Sequence, residues 1–240
     1  MFDTPTASAS ESTGFDPFEV AQRASESGTF ESLAPPIQVA LFLGGMALIT
    51  AMVVSMTSFT RIIIVLSFTR RALAAQEIPP NPVLIGLALF LTLFVMGSTL
   101  DDIDAHALRP WMAGDISAAE AAEAGWGDLR GFMMEHTRKS DLELFLALGN
   151  VNDVTAPDHV PARVLIPSFV VSELKTAFIM GFCIYIPFLL VDLVVSTILM
   201  SLGMMMMPPV VISTPFKILL FVLVDGWHVI ARAVSLSFSV

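Results

Sequence analysis

Long apolar runs alternate with polar, acidic stretches along this chain. Ile37–Thr60 holds 24 residues without a charge, and beyond Arg61 the apolar character continues to Phe68. At about 1.5 Å of rise per residue such a run reaches about 36 Å, enough for a hydrocarbon core of about 30 Å. A second charge-free run covers the 23 residues from Ile78 to Leu100 and opens through Pro79, Pro80 and Pro82. The last third is apolar from Val164 to Ser239, interrupted by Glu173, Lys175, Asp192, Lys217, Asp225 and Arg232. Gly203, the run Met204–Met207 and Pro208-Pro209 divide it in two. These patterns predict four hydrophobic helices, at about 37–69, 80–100, 164–202 and 209–236. The third is longer than a bilayer crossing needs, so it is expected to tilt, to kink near Pro187 or to extend beyond the membrane.

The polar stretches complete the division. Residues 1–35 read as a disordered acidic tail, poor in apolar residues. They lack the basic and apolar regions of a secretory signal peptide. Residues 36–100 form the first hydrophobic pair, 101–163 a small acidic helical domain, and 164–240 the second pair with its Met-rich turn. Within 101–163, Ser117 and Glu120 match a capping box. A second amphipathic helix is expected over Asp128–Leu148, beyond Gly125-Trp126-Gly127, with Leu129, Phe132, Met133, Leu142, Phe145 and Leu146 at roughly helical spacing. Some sixty residues are few for an independent core, so this segment should pack on neighbours or on its own copies. The expected class is an all-α membrane protein of kinked helical hairpins with a small extracytoplasmic helical segment.

Composition agrees. The chain is 55% hydrophobic and 14% charged, with mean hydropathy +0.78, where soluble domains carry about 25% charged residues. The net charge of −10 divides into −5 over residues 1–36, −7 over 101–163 and +2 over the rest. That balance gives no support to nucleic-acid binding, which needs a basic surface. Arg61, Arg70 and Arg71 place the loop between the first two helices in the cytoplasm by the positive-inside rule, and the 101–163 segment outside. With the single Cys183 and four dispersed histidines, no disulfide, metal site or cofactor is expected. Ser58, Ser172 and His228 lack nucleophile–base spacing, and enzyme function has no positive support.

Charges within apolar helices are the sharpest chemical signal. Each costs at least about 2.5–3.5 kcal/mol on insertion scales and so seeks a protein interior or a water-filled path. Glu173 lies 31 residues before Met204, and Lys217 ten after Met207. A straight intrachain hairpin keeps them apart, so a contact between them would cross subunits or bend the third helix. Glu173 and Lys175 cannot face each other at a spacing of two. Charges near helix ends or in structural ion pairs are the simpler alternative. Asp192 suits either a proton relay or an interhelical ion pair. Met204–Met207 could line a closing pore with flexible thioethers, or simply form a buried apolar turn.

Several stretches carry a resemblance. Met56–Val65, Pro79-Pro80-Asn81 with Gly86–Thr92, Ser172–Phe178, Gly203–Met206 with Pro208-Pro209, and Phe221–Trp227 together resemble the FliP family of flagellar biosynthetic proteins over roughly residues 36–240. The resemblance implies a subunit of the flagellar type III export gate in the bacterial inner membrane and flagellar basal body. Five copies would join FliQ and FliR subunits around a closed channel for unfolded flagellar proteins. Met204, Met205, Met206 and Met207 map onto the family's pore gasket. Glu173 and Lys217 map onto charged positions suited to an intersubunit pair, and Arg61, Lys175, Asp192 and Asp225 are the further buried-charge positions. Many members begin with a cleavable signal peptide, and none is expected here. The virulence-type secretion homologue is the alternative. Ser58-Phe59-Thr60-Arg61 resembles the flagellar version, since the virulence version usually places a lysine near Arg61.

Overall fold

The computed structural model describes residues 35–75, 78–151, 160–204 and 207–238. The expected disordered tail therefore lies, up to residue 34, outside the described residues. The described residues divide into two units, one ending at Thr50 and the other beginning at Ala51. Every regular element among the described residues is helical. α1 is Pro35–Ser55, α2 Phe59–Ala72, α3 Asn81–Val95 and α4 Gly97–Ala113, with a π-helical turn at Asp104–Leu108. α5 is Ala118–His136, α6 Lys139–Leu148, α7 Ala162–Ser201, α8 Pro209–Leu223 and α9 Gly226–Leu236.

The all-helical class and the kinks are seen, while the apolar stretches are more broken than four long helices. Among the described residues, α7 alone is long and apolar enough to cross a membrane as one helix, and the pairs α3–α4 and α8–α9 are each bent by 64°. The expected first helix breaks at Met56–Ser58. Hydroxyls explain that break: Thr57 Oγ1 donates to the Val54 carbonyl and accepts from Phe59 N, while Thr60 Oγ1 also turns to Val54 O. Side chains that bond nearby backbone compete with the helical ladder. An apolarity scan cannot see this.

α7 is the spine of the second unit. Its 40 residues continue through Pro167 and Pro187 and span about 60 Å, twice a hydrocarbon core. Val164, Ser168 and Ser172, with Leu165, Phe169, Glu173, Ala177 and Gly181, recur at intervals of four on the buried face of its first half. Beyond Gly181 only Phe188 and Leu199 are buried.

Two cores meet along the first half of α7. One gathers Ile62, Val65 and Leu66 of α2, Leu84 and Ala88 of α3, Ala177 and Phe188 of α7, Phe221 of α8, and Ile230 and Val234 of α9. The other packs Met96, Phe132 and Met133 against Val164, Leu165 and Phe169. The 101–163 segment thus leans on α7 of its own chain. Its capping box forms as expected, Ser117 N donating to Glu120 Oε2 at 2.7 Å and Glu120 N to Ser117 Oγ at 3.3 Å. The Ser117 backbone N–H, and then its hydroxyl, draw the Glu120 carboxyl below its usual range. Gly125 and Gly127 do not end a helix, because α5 runs through them to His136. The break comes instead at Thr137-Arg138, where Arg138 N donates to Ser172 Oγ on α7 at 2.8 Å.

The α8–α9 bend turns the chain back onto the core. Asp225 takes the left-handed conformation, φ 51°, uncommon for a side chain other than Asn or Asp. Phe221 packs edge-on to Trp227, centroids 5.2 Å apart, and directly over Gly226. A Cβ at Gly226 would sit 2.2 Å from Phe221 Cε2, so only glycine fits under the ring. Gly226→Ala is expected to lower stability by about 1–3 kcal/mol through overpacking, read as a fall in the unfolding midpoint in detergent. The loss should shrink in a Phe221→Leu background, and additive losses would refute the contact as its cause.

Candidate functional site

Three features stand out on or beside α7: two ion pairs and the methionine turn. The first pair lies at the α2–α7 contact. Arg61, in the first turn of α2, is 3% exposed and Glu173 is fully buried. Arg61 Nε donates to Glu173 Oε2 at 2.7 Å, and Nη2 donates to the other carboxylate oxygen. Nη1 donates to the carbonyl oxygen and to Oγ of Ser237, each at 2.9 Å. The bidentate fork suits the planar guanidinium, and the Phe238 ring covers it at 3.7 Å.

The second pair joins α7 to α8. Lys217 Nζ donates to Asp192 Oδ2 at 2.6 Å, and the Ser213 hydroxyl to Asp192 Oδ1 at 2.6 Å. Ser213 precedes Lys217 by one helical turn, so both reach the same carboxylate. Asp192 lies twelve residues before Met204 and Lys217 ten after Met207. Near-equal distances from the turn let the two meet across a hairpin.

The turn is set by Gly203 and the prolines. Gly203, at φ 76°, donates its N–H to Met200 O at 3.1 Å, and Met204 N donates to Leu199 O at 3.0 Å. This is the Schellman arrangement, whose left-handed residue is glycine because a Cβ would be strained there. Pro208 and Pro209 restart the chain as α8, where a missing N–H costs nothing. Met204 and Met207 are each 40% exposed. Met205 and Met206 lie outside the described residues.

Four of the sequence-named charges thus find partners within one chain. Glu173 has Arg61 and Lys217 has Asp192, so neither needs the other across a subunit boundary to be neutralised. These charges by themselves therefore do not require an assembly. Arg61 is a core residue rather than a loop charge, which leaves Arg70 and Arg71 to carry the orientation argument. Lys175 and Asp225 are exposed. Sequence reasoning missed Ser213, Ser237 and Phe238. Only Ser213 left a signal, its one-turn spacing from Lys217.

Removing one member of the Arg61–Glu173 pair strands a buried charge. Glu173→Gln and Arg61→Ala are each expected to destabilise by about 3–5 kcal/mol, while Arg61→Met with Glu173→Met should recover most of the loss. Thermal unfolding of the four proteins in detergent checks this, and additive losses would overturn the pairing.

Comparison with known proteins places the site in a family. The FliP family profile matches residues 42–234. The flagellar biosynthetic protein FliP of Bacillus subtilis (strain 168) is 48% identical over 208 residues, 87% of this chain and 94% of the relative. That of Pectobacterium carotovorum subsp. carotovorum is 50% identical over 202 residues, 84% and 78% of the two chains. The protein of the same name from Aquifex aeolicus (strain VF5) is 44% identical over 209 residues, 86% and 87%. A match spanning both ion pairs and the methionine turn, at this identity and coverage, means that the chain belongs to the FliP family.

Proposed function

We propose that this chain is a subunit of the flagellar type III export gate, a transport component rather than an enzyme. It would assemble in five copies with FliQ and FliR subunits in the bacterial inner membrane, at the flagellar basal body, around a closed channel for unfolded flagellar proteins. The observation that carries the reading is family membership over most of the chain.

The geometry supports it in three ways. The second half of α7 and the outer face of α8 leave Phe182, Ile186, Leu193, Val211, Leu219 and Val222 exposed, a surface that lipid or further subunits must cover. An apolar groove of about 530 Å³ between the two helices, lined by Val191, Val194, Ile198 and Phe216 among others, could receive an apolar partner. The methionine turn sits at the tip of this hairpin, where equivalent turns from several copies could meet on an axis. Thioether side chains there would close on one another and yield to varied passing segments. Glu173 and Lys217 would then act as intersubunit charges only by exchanging the partners they have within one chain.

Native mass spectrometry in detergent, after co-expression with FliQ and FliR subunits, tests the assembly. A species holding five copies of this chain is expected; a monomer or dimer that ignores both partners would refute the reading. Met205→Ala with Met206→Ala should leave assembly intact and raise small-ion conductance across a bilayer. Background conductance in the assembled variant would remove the gasket role.

A further inference from the structure

The segment beyond α9 is held by a second device besides Arg61. The Phe238 ring lies near-parallel to Phe132 at a 6.1 Å centroid distance and against the His136 imidazole at 5.1 Å. It packs on both cores at once. The Phe238 carbonyl oxygen lies 3.1 Å from His136 Nε2, and His136 Nδ1 lies 2.8 Å from the Phe132 carbonyl oxygen. Both ring nitrogens therefore face acceptors that cannot donate. A neutral imidazole has one N–H, and its other nitrogen would turn a lone pair toward a carbonyl oxygen. The imidazolium donates at both positions.

The charged surroundings are mixed. Arg61 of α2 and Glu173 of α7 neutralise each other, and Glu173 is within electrostatic reach of His136 and of Arg138. The Arg138 guanidinium reaches Thr176. On α5 the neighbouring Glu135 is exposed, as are Lys139 on α6, Lys175 on α7 and Arg232 on α9, while Asp141 is buried in the first turn of α6.

We propose that doubly protonated His136 latches Ser237–Phe238 into the Arg61 socket, and that loss of this proton releases the latch. The sign follows from the chemistry. Docking is complete when the imidazolium bridges the two carbonyls and weakens when the ring loses one of its two N–H donors. Arg61 keeps its bonds to Ser237 throughout, so release loosens the segment without unfolding the core. Because Phe238 touches both cores, the latch ties α5 to α9 in a proton-dependent way.

Hydrogen exchange on the full chain in detergent tests this at about pH 5.5 and about pH 8, on either side of the usual histidine range. After correction for intrinsic rates, peptides covering 226–238 should exchange about tenfold faster at the higher pH, the loss expected for one charge-assisted hydrogen bond. His136→Gln should abolish that difference. Equal protection of the wild-type protein at both values overturns the proposal, as does an unchanged difference in the variant. If the variant does not fold, 15N-histidine spectra of the wild-type protein decide. Assigned by elimination through His106→Gln, His159→Gln and His228→Gln, the His136 ring should show two protonated nitrogens at the lower pH. A neutral-tautomer pattern there overturns the proposal.

Discussion

A guanidinium and a carboxylate removed from water together fix how the helices of the second unit lie. A buried charge is tolerated only when nearly all its hydrogen-bonding capacity is used. Arg61 meets that demand with Glu173 on one side and Ser237 on the other, which holds α2, α7 and the segment after α9 at one point. Movement of any one of the three would expose or strand a charge. The apolar packing of Ile62, Val65, Leu66 and Ala177 around this point is less particular, since similar volumes can be refilled in several ways.

Self-sufficiency in charge has a counterpart in apolar surface. With Glu173 and Asp192 both satisfied internally, the long helix carries only Lys175 and the terminal Arg163 as exposed charges. Its far half is otherwise apolar and lightly covered. The long helix thus has its two buried carboxylates neutralised within the chain and leaves its hydrophobic surface open. A membrane or a set of similar apolar partners suits such a surface, and water does not.

Much of this was legible in the residues, and the exceptions have identifiable causes. The long apolar runs marked α7 and the helices flanking the turn, because burial in lipid or protein needs such runs. Ser117 and Glu120 announced the start of α5, since a capping box is a local motif of fixed spacing. Gly203 with Pro208-Pro209 marked the turn for the same reason. The break at Met56–Ser58 escaped because hydroxyl competition with the backbone is invisible to hydropathy. The partner of Arg61 lies 112 residues away, and no periodicity reports a contact at that separation. Lys217 and Asp192 stand at similar distances from the turn, a spacing that pairs them across a hairpin.

The length of α7 also has a mechanical meaning. Its first half is clamped by packing on several sides, and beyond Phe188 it is held mainly by its hairpin partner α8, through Asp192 and Lys217. From Phe188 to Gly203 the helix runs about 22 Å. A tilt of about 10° about Phe188 would carry the tip sideways by about 4 Å, roughly the width of a methylene chain. The helix is a lever arm, and small adjustments near its fulcrum become displacements on the scale of a side chain at the methionines.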